Sequence, residues 1–425
     1  MKPETKQRII QLNNGEIPNG YKKTSVGIVP IEWTEHTLGD IFKFKNGINK
    51  EKEAFGQGTP IVNYTDVWKK RGLKAEDIKG RVVLSKNEIQ NYEVKCGDVF
   101  FTRTSETIDE IGYSSVLLED IENTIFSGFV LRARPYNNLV SKEYHQYCYS
   151  EPQMRHEIIK RSSMTTRALT SGPMLSQVAI NLPSHREQSK IAEILMKWDE
   201  AIQLNEQLVE QLAKRKNAIT YNLLTSAFRL PGFSEEWKER EISTYLEVRD
   251  TQQVPTEEAP LMAFVAGVGI VDKGERYDRS FLVKDDAKKY KRTEMDDFIY
   301  SSNNLDVGSI GLNKYGTAVI SVVYEIFKVK SNAVPLVISE IIQLPYNLNK
   351  ILSFRQGALY GQYKIHAENF LSVKIKVPSY EEQKKIAKLI CMLDEELRAK
   401  QEYLEKIKQQ RKALQQYLLN GIVRV

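Results

Sequence analysis

The longest regular pattern in this chain is a spacing of apolar residues by fours and threes, and it occurs twice. Its first run is Ile191, Leu195, Trp198, Ile202, Val209, Leu212, Ile219 and Leu223. Its second is Ile386, Ile390, Leu393, Leu397, Leu404, Ile407, Leu414 and Leu418. A 3.5-residue repeat held over about 40 residues without Pro or Gly predicts a long helix with a coiled-coil seam. Polar residues interrupt the seam at Asn205 and Lys216, and at the equivalent Lys400 and Arg411. Such breaks cost stability but fix register, and their recurrence predicts that the two helices pair with each other. Each helix would run about 60 Å at 1.5 Å per residue.

The helices belong to an internal repeat. Val178 to Ser226 aligns without gaps with Val373 to Gly421 at an offset of 195, with 15 identities in 49 positions. Each copy opens with Pro-Ser-x-x-Glu-Gln: Pro183, Ser184, Glu187, Gln188, and Pro378, Ser379, Glu382, Gln383. Ser-x-x-Glu is the signature of a capping box, in which the serine oxygen takes an N3 amide proton and the glutamate reaches back to the serine amide. Asn420-Gly421 is a C-cap signal.

Period-two and β-branched runs fill the segments before each helix. GDVFFTRT (97–104) echoes DDFIYSS (296–302), an Ile-Gly pair follows each at 111–112 and 310–311, and a Trp opens each unit at 33 and 237. Extended runs at 178–182 and 373–377 lead into the helices. The expected fold class is therefore α+β: two mixed α/β domains separated by two long helices pairing as an antiparallel coiled coil. The expected boundaries are an N-terminal segment 1–20 packing near the helix ends, a domain 21–182, a central helix 183–228, a second domain 229–377 and a distal helix 378–425, with Pro231-Gly232 as linker. The N-terminal KQRIIQLNNGEIP resembles KALQQYLLNGIVRV at the other end, so the chain ends are expected to meet beside the terminus of the first long helix.

Composition changes this picture little. The 425 residues carry a formal net charge of +6 and a 41% apolar fraction, without an 18-residue apolar run or a signal-like N-terminus. The expectation is a cytoplasmic protein. Three scattered cysteines and five histidines argue against a disulfide framework or a zinc site. Gly267-Val268-Gly269 is not a dinucleotide fingerprint, and no P-loop or Asn-Pro-Pro methyltransferase motif occurs. Asp66, Asp77 and Lys79 have the spacing of a magnesium nuclease core, yet three loosely spaced charges arise easily in a chain that is 27% charged. No catalytic residue, metal ligand or cofactor of this chain is expected.

Basic clusters point instead to a polyanion. They are Lys69-Lys70-Arg71, Arg103, the loop Arg161 to Arg167 with Thr165 and Thr166, Lys288-Lys289 with Lys291-Arg292, and Arg355-Gln356 to Lys364. Lysines suit phosphates, while Arg and Gln can read base edges. The loop before the closing extended run is basic in both units. For any one cluster the competing reading is a solvated charged surface, and for the whole chain a coiled-coil protein-interaction scaffold without DNA binding.

The duplicated Pro-x-x-x-Glu-Gln-x-x-Ile-Ala (Pro183, Glu187, Gln188, Ile191, Ala192; Pro378, Glu382, Gln383, Ile386, Ala387) resembles the specificity subunits of type I restriction–modification systems over essentially the whole chain. The family's usual second proline is replaced here by Ser184 and Ser379. The resemblance implies two target-recognition domains, each reading half of a bipartite DNA site, with the helix pair setting the spacer. It also implies docking of two adenine methyltransferase (modification) subunits and of motor-nuclease subunits. S-adenosylmethionine, ATP and Mg²⁺ would then belong to those partners.

Overall fold

The computed structural model describes residues 3–272, 288–302, 305, 309–359 and 362–425. Two units emerge, the first from residues 1–206 and 403–425 and the second from 207–402. Both long helices, α3 (His185–Leu224) and α6 (Tyr380–Leu419), are uninterrupted over 40 residues and contribute one part to each unit.

In the first unit the alternating runs form β2 (Phe42–Asn46), β3 (Gly72–Leu73), β4 (Val99–Thr102), β6 (Ser114–Leu117) and β7 (Val130–Pro135), in the order β2-β7-β4-β6-β3. Only the β6–β3 pair is parallel. The chain enters through β1 (Thr34–Thr37) and leaves through β10 (Ala179–Leu182), which pair antiparallel. α2 (Pro152–Lys160) precedes a hairpin of β8 (Ser163–Met164) and β9 (Ala168–Leu169), whose second strand pairs with β5 (Thr104–Ser105). α1 (Pro3–Asn13) lies N-terminal to all of these. The core gathers Trp33, Leu38, Phe42, Phe101, Tyr144 and Tyr149 with Ile191 and Leu195 of α3 and Leu418 of α6.

The second unit repeats this plan. β12 (Leu246–Val248), β13 (Phe298–Ser301), β14 (Ile310–Leu312) and β15 (Tyr324–Val329) stand in the order β12-β15-β13-β14, matching β2-β7-β4-β6. Entry strand β11 (Lys238–Glu241) pairs with exit strand β18 (Lys374–Val377). Helices α4 (Pro335–Ile342) and α5 (Pro345–Leu352) precede a hairpin of β16 (Gln356–Leu359) and β17 (Gln362–Lys364). The GDVFFTRT/DDFIYSS echo thus marks equivalent strands, β4 and β13. The acid before each is buried and accepts the amide three residues back: Asp98 from Lys95 at 2.8 Å, Asp297 from Glu294 at 2.7 Å. An arginine pairs with each, Arg134 from β7 in one unit and Arg249 after β12 in the other.

The helix starts depart from the expected capping box in one respect. Ser184 and Ser379 do accept the amides of Glu187 and Glu382, at 3.4 and 3.3 Å. The glutamates do not turn back. Glu187 accepts the Trp33 indole N–H at 3.1 Å and a two-pronged Arg424 guanidinium at 2.7 and 3.1 Å. Glu382 accepts Trp237 at 3.2 Å and Arg229 at 2.8 and 3.0 Å. The buried carboxylates take stronger, charge-assisted partners than their own serine amide. The neighbouring glutamines also tie the frame: Gln188 accepts from the Ser141 amide and donates to Leu139 and Pro183 carbonyls, and Gln383 accepts from Val334 and donates to Pro378.

Within each unit the two long helices run antiparallel. Glu206 and Asp199 of α3 face Lys408 and Arg411 of α6 in the first unit; Arg215 and Lys216 face Glu396 and Asp394 in the second. Two of the four seam breaks are thus charge pairs with the facing helix. The others differ: Asn205 donates back to the Ala201 carbonyl and Lys400 is exposed. Seam residues near the domains are buried, including Ile191, Leu195, Leu223, Ile386, Ile390 and Leu418, with Leu212, Leu404 and Ile407. Trp198, Ile202, Val209, Ile219, Leu393, Leu397 and Leu414 are half-buried.

The chain ends do meet in the first unit. Arg8 of α1 donates to the Ile422 carbonyl at 2.6 Å, and the Tyr21 hydroxyl donates to that of Gly421. Gly421 has φ +65°, and a Cβ there would sit 2.5 Å from Pro30 Cδ. Its counterpart after α3 is Ser226, held at φ +60°.

Two stability effects follow. Arg424→Ala leaves a buried carboxylate with the Trp33 N–H alone and should cost about 2–3 kcal/mol. Glu187→Gln keeps an acceptor for Trp33 and should cost less than half of that. Native-state hydrogen exchange in the first unit's core reads both, and a reversed order would remove the role assigned to the glutamate. Ser226→Gly should stabilise by about 0.5–1 kcal/mol by relieving a left-handed residue, whereas Gly421→Ser should destabilise; equal and small effects in urea unfolding would contradict this.

Candidate nucleic-acid interface

The structure divides the nominated residues by what already holds them. Around the first unit's hairpin it brings together Arg103, Arg161, Thr165, Thr166 and Arg167. Arg161 caps α2 and is held by Gln177 at 3.1 Å. Arg103 accepts the Thr170 amide through its carbonyl, donates its own amide to Phe129 and its guanidinium to Gly128. The hairpin turn closes with the Thr165 amide on the Arg167 carbonyl, and Thr165, Thr166 and Arg167 are exposed.

The second unit builds a hairpin in the equivalent place, after its last helices and before the helix Ala367–Ser372 that leads to β18. Arg355 stands half-buried at its start and Lys364 is exposed at its end; the side chains of Gln356 and Lys69 lie outside the described residues. Lys288 and Lys289 are exposed, Lys288 lying 5.6 Å over the Tyr290 ring.

Other nominated cations are committed inside the protein. Lys291 is only 8% exposed and pairs with Glu325 at 2.8 Å. Arg292 binds Gln253 at 3.0 Å and Glu294 at 3.3 Å. The dense 288–292 cluster is therefore split: Lys288 and Lys289 are exposed ahead of the strand Tyr290–Thr293, on which Lys291 is buried and Arg292 half-buried. Lys70 pairs with Asp77, and Arg71 reaches Asp199 of α3 at 3.3 Å beside the Tyr147 ring. Asp77 is thus engaged with Lys70, and Asp66 accepts the Asn63 amide at a helix start, which accounts for both carboxylates of the nuclease-like spacing. Among the described residues no group of acids, histidines or cysteines could hold a metal ion. Burial holds the imidazole of His145 down to about 3, so it is a neutral core group bonded to Tyr149.

A second cationic row crosses the first unit's sheet, with Arg132 buried within it. Lys43 and Lys45 on β2 stand directly opposite Arg134 and Arg132 on β7. Burial, with Arg132, Arg134 and Lys43 beside it, holds the Lys45 ammonium below the usual lysine range. Like charges facing each other across strands are unfavourable, and here they are offset by Asp98 and by the Glu93 carbonyl, which accepts from Arg132 and Arg134. The signal was the alternation Phe-Lys-Phe-Lys and Leu-Arg-Ala-Arg, one basic residue every second position on two strands far apart in sequence.

Comparison with known proteins gives the geometry its context. The family model for the type I restriction modification DNA specificity domain matches twice, over residues 30–214 and 234–409. A putative type I restriction enzyme specificity subunit (MjaX) of Methanocaldococcus jannaschii is 25% identical over 431 residues, covering 95% of this chain and 97% of that protein. The EcoKI specificity subunit of Escherichia coli is 25% identical over 193 residues, 44% of this chain and 40% of its own. Among solved structures, the S subunit of the type I system of M. genitalium superposes with a TM-score of 0.51 at 16% identity, covering 95% and 97% of the two chains. The HsdS subunit of Thermoanaerobacter tengcongensis does so at 0.56 and 14%, covering 93% and 98%. The duplicated unit, the paired helices and the doubled family match agree: this chain belongs to the type I restriction–modification DNA specificity family, and is a specificity subunit, the non-catalytic, DNA-recognising member of such a system.

Proposed function

We propose that the two units read the two halves of a bipartite, asymmetric DNA target, and that the paired helices set the non-specific spacer. The observation that carries this is the fold-level repeat. Both units share strand order, doorway strands and the Glu–Trp–Arg tie, while their hairpins differ in length and sequence. A constant frame with divergent readers suits two different half-sites held at a fixed separation.

Two modification subunits with adenine methyltransferase chemistry would dock on the helices, and motor-nuclease subunits would join the full complex in the cytoplasm. Exposed Met196, Leu204, Leu208 and Met392 on the long helices support docking there, because apolar side chains on a charged helix face favour a partner. S-adenosylmethionine, ATP and Mg²⁺ serve those partners. No described helix is long and apolar enough to cross a membrane.

The test is the methylome of cells carrying this chain with its modification subunit. A bipartite methylated motif should appear, and exchanging residues 30–175 for those of another member should change one half only. Methylation independent of this chain would refute the reading. Inserting seven residues at matched points of α3 and α6 lengthens each by about 10 Å. The spacer should then grow by about three base pairs; an unchanged spacer would reject the ruler while leaving recognition intact.

A further inference from the structure

Resting on that reading, we propose that the β8–β9 hairpin is the base-reading element of the first unit, with Arg167 reading a guanine through its two-pronged guanidinium.

Of the arginines nominated in this unit, Arg71, Arg103 and Arg161 are engaged by protein groups. Arg167 is exposed, and its guanidinium engages no other described residue. It is therefore available to a ligand without first breaking an internal pair.

The element that carries it is rigid. β9 is paired on both sides, with β8 and with β5. The strand continues into Thr170, whose amide is held by Arg103 at 3.0 Å. A hairpin fixed at its base delivers its tip with little loss of conformational freedom, which geometric readout of base edges requires.

The composition of the tip also suits base edges. Ala168 pairs with Ser105, so the next residues, Arg167 and the exposed Glu106, stand at the same end of that ladder. A carboxylate there repels phosphate but can accept from a cytosine amino group. Met164 is 51% exposed and Leu169 38%, flanking Thr165 and Thr166. Apolar side chains and threonine methyls of this kind contact thymine methyls in the major groove, and the apolar ones gain nothing from a phosphate. Phe129, 58% exposed, accepts the Arg103 amide through its carbonyl.

The equivalent β16–β17 hairpin is longer by two residues between its outer strand ends and irregular in register, although the frame around it repeats. Divergence at this element, set on equivalent frame strands, is what two readers of different half-sites require.

The test uses the chain assembled with its modification subunits. Arg167→Ala and Arg167→Lys are compared by methylome and by binding to duplexes carrying each base at every half-site position. Both variants should lose roughly tenfold discrimination at one position of one half-site, with the salt dependence of binding unchanged. Lys keeps the charge and loses the fork, so it separates base reading from phosphate contact. Arg167→Lys behaving as wild type, or Arg167→Ala weakening all sequences equally with a shallower salt slope, would overturn the proposal. So would an unchanged motif in both variants. A wild-type chain that directs no sequence-specific methylation would instead overturn the bipartite-reader function itself.

Discussion

Each unit depends on one buried carboxylate. Glu187 lies at the first turn of α3, yet its partners are Trp33 at the domain entrance and Arg424 near the chain's end. Three segments far apart in sequence are thus pinned at one point. Desolvating a carboxylate is expensive, and only well-aligned donors offset it. Three N–H groups do so here, two of them from one guanidinium, and the same set recurs around Glu382. Because the arginine that completes each unit comes from the end of the other long helix, neither unit closes within a single copy of the repeat.

The helix pairing is specified by a second pair of charges. α3 brings Asp199 and Lys216, α6 brings Asp394 and Arg411, at the repeat offset of 195. In the first unit Asp199 binds Arg411 twice, at 2.8 and 3.0 Å, and also Arg71 and the Tyr147 hydroxyl. In the second, Asp394 meets Lys216, while burial raises the nearby Glu340 above the usual carboxylate range. A slip of one residue would strand Arg411, which is only 6% exposed. These charges therefore serve register more than net stability. Sharing an acid with Arg71 also locks the first domain onto its own helices.

Much of this architecture was legible. Seam spacing located both helices because a 3.5 period is a local property. The echo of β4 and β13 was visible because a buried strand after an acidic turn leaves a compact signature. What failed to show was which polar groups face one another. The Ser-x-x-Glu pattern invited a local capping box, and no local rule could announce an arginine 237 residues away. Clustering in sequence likewise misjudged Lys291, which lies on a buried strand against Glu325 while Lys288 and Lys289 stand exposed ahead of it. The Lys43, Lys45, Arg132, Arg134 row was hidden for the converse reason, its members becoming neighbours only through the β2–β7 register.

The doorway strands explain how one frame can enclose two different domains. β1 pairs residue by residue with β10, and β11 with β18, so each domain's entrance and exit are adjacent antiparallel strands. Backbone hydrogen bonds hold these pairs, and backbone bonds make little demand on side-chain identity. Everything between them is, in effect, one long loop closed at a fixed gate. Closure entropy grows only logarithmically with loop length, so changes in the enclosed domain barely alter the cost of keeping the gate shut. The side chains that the gate does demand, Trp33 with Glu187 and Trp237 with Glu382, sit on the frame side of it. Apart from groups such as Arg71 and Tyr147 that reach Asp199 of α3, sequence inside the gate is thereby released from the constraint that holds the helices together, and the first unit's exposed hairpin is where that freedom can become recognition.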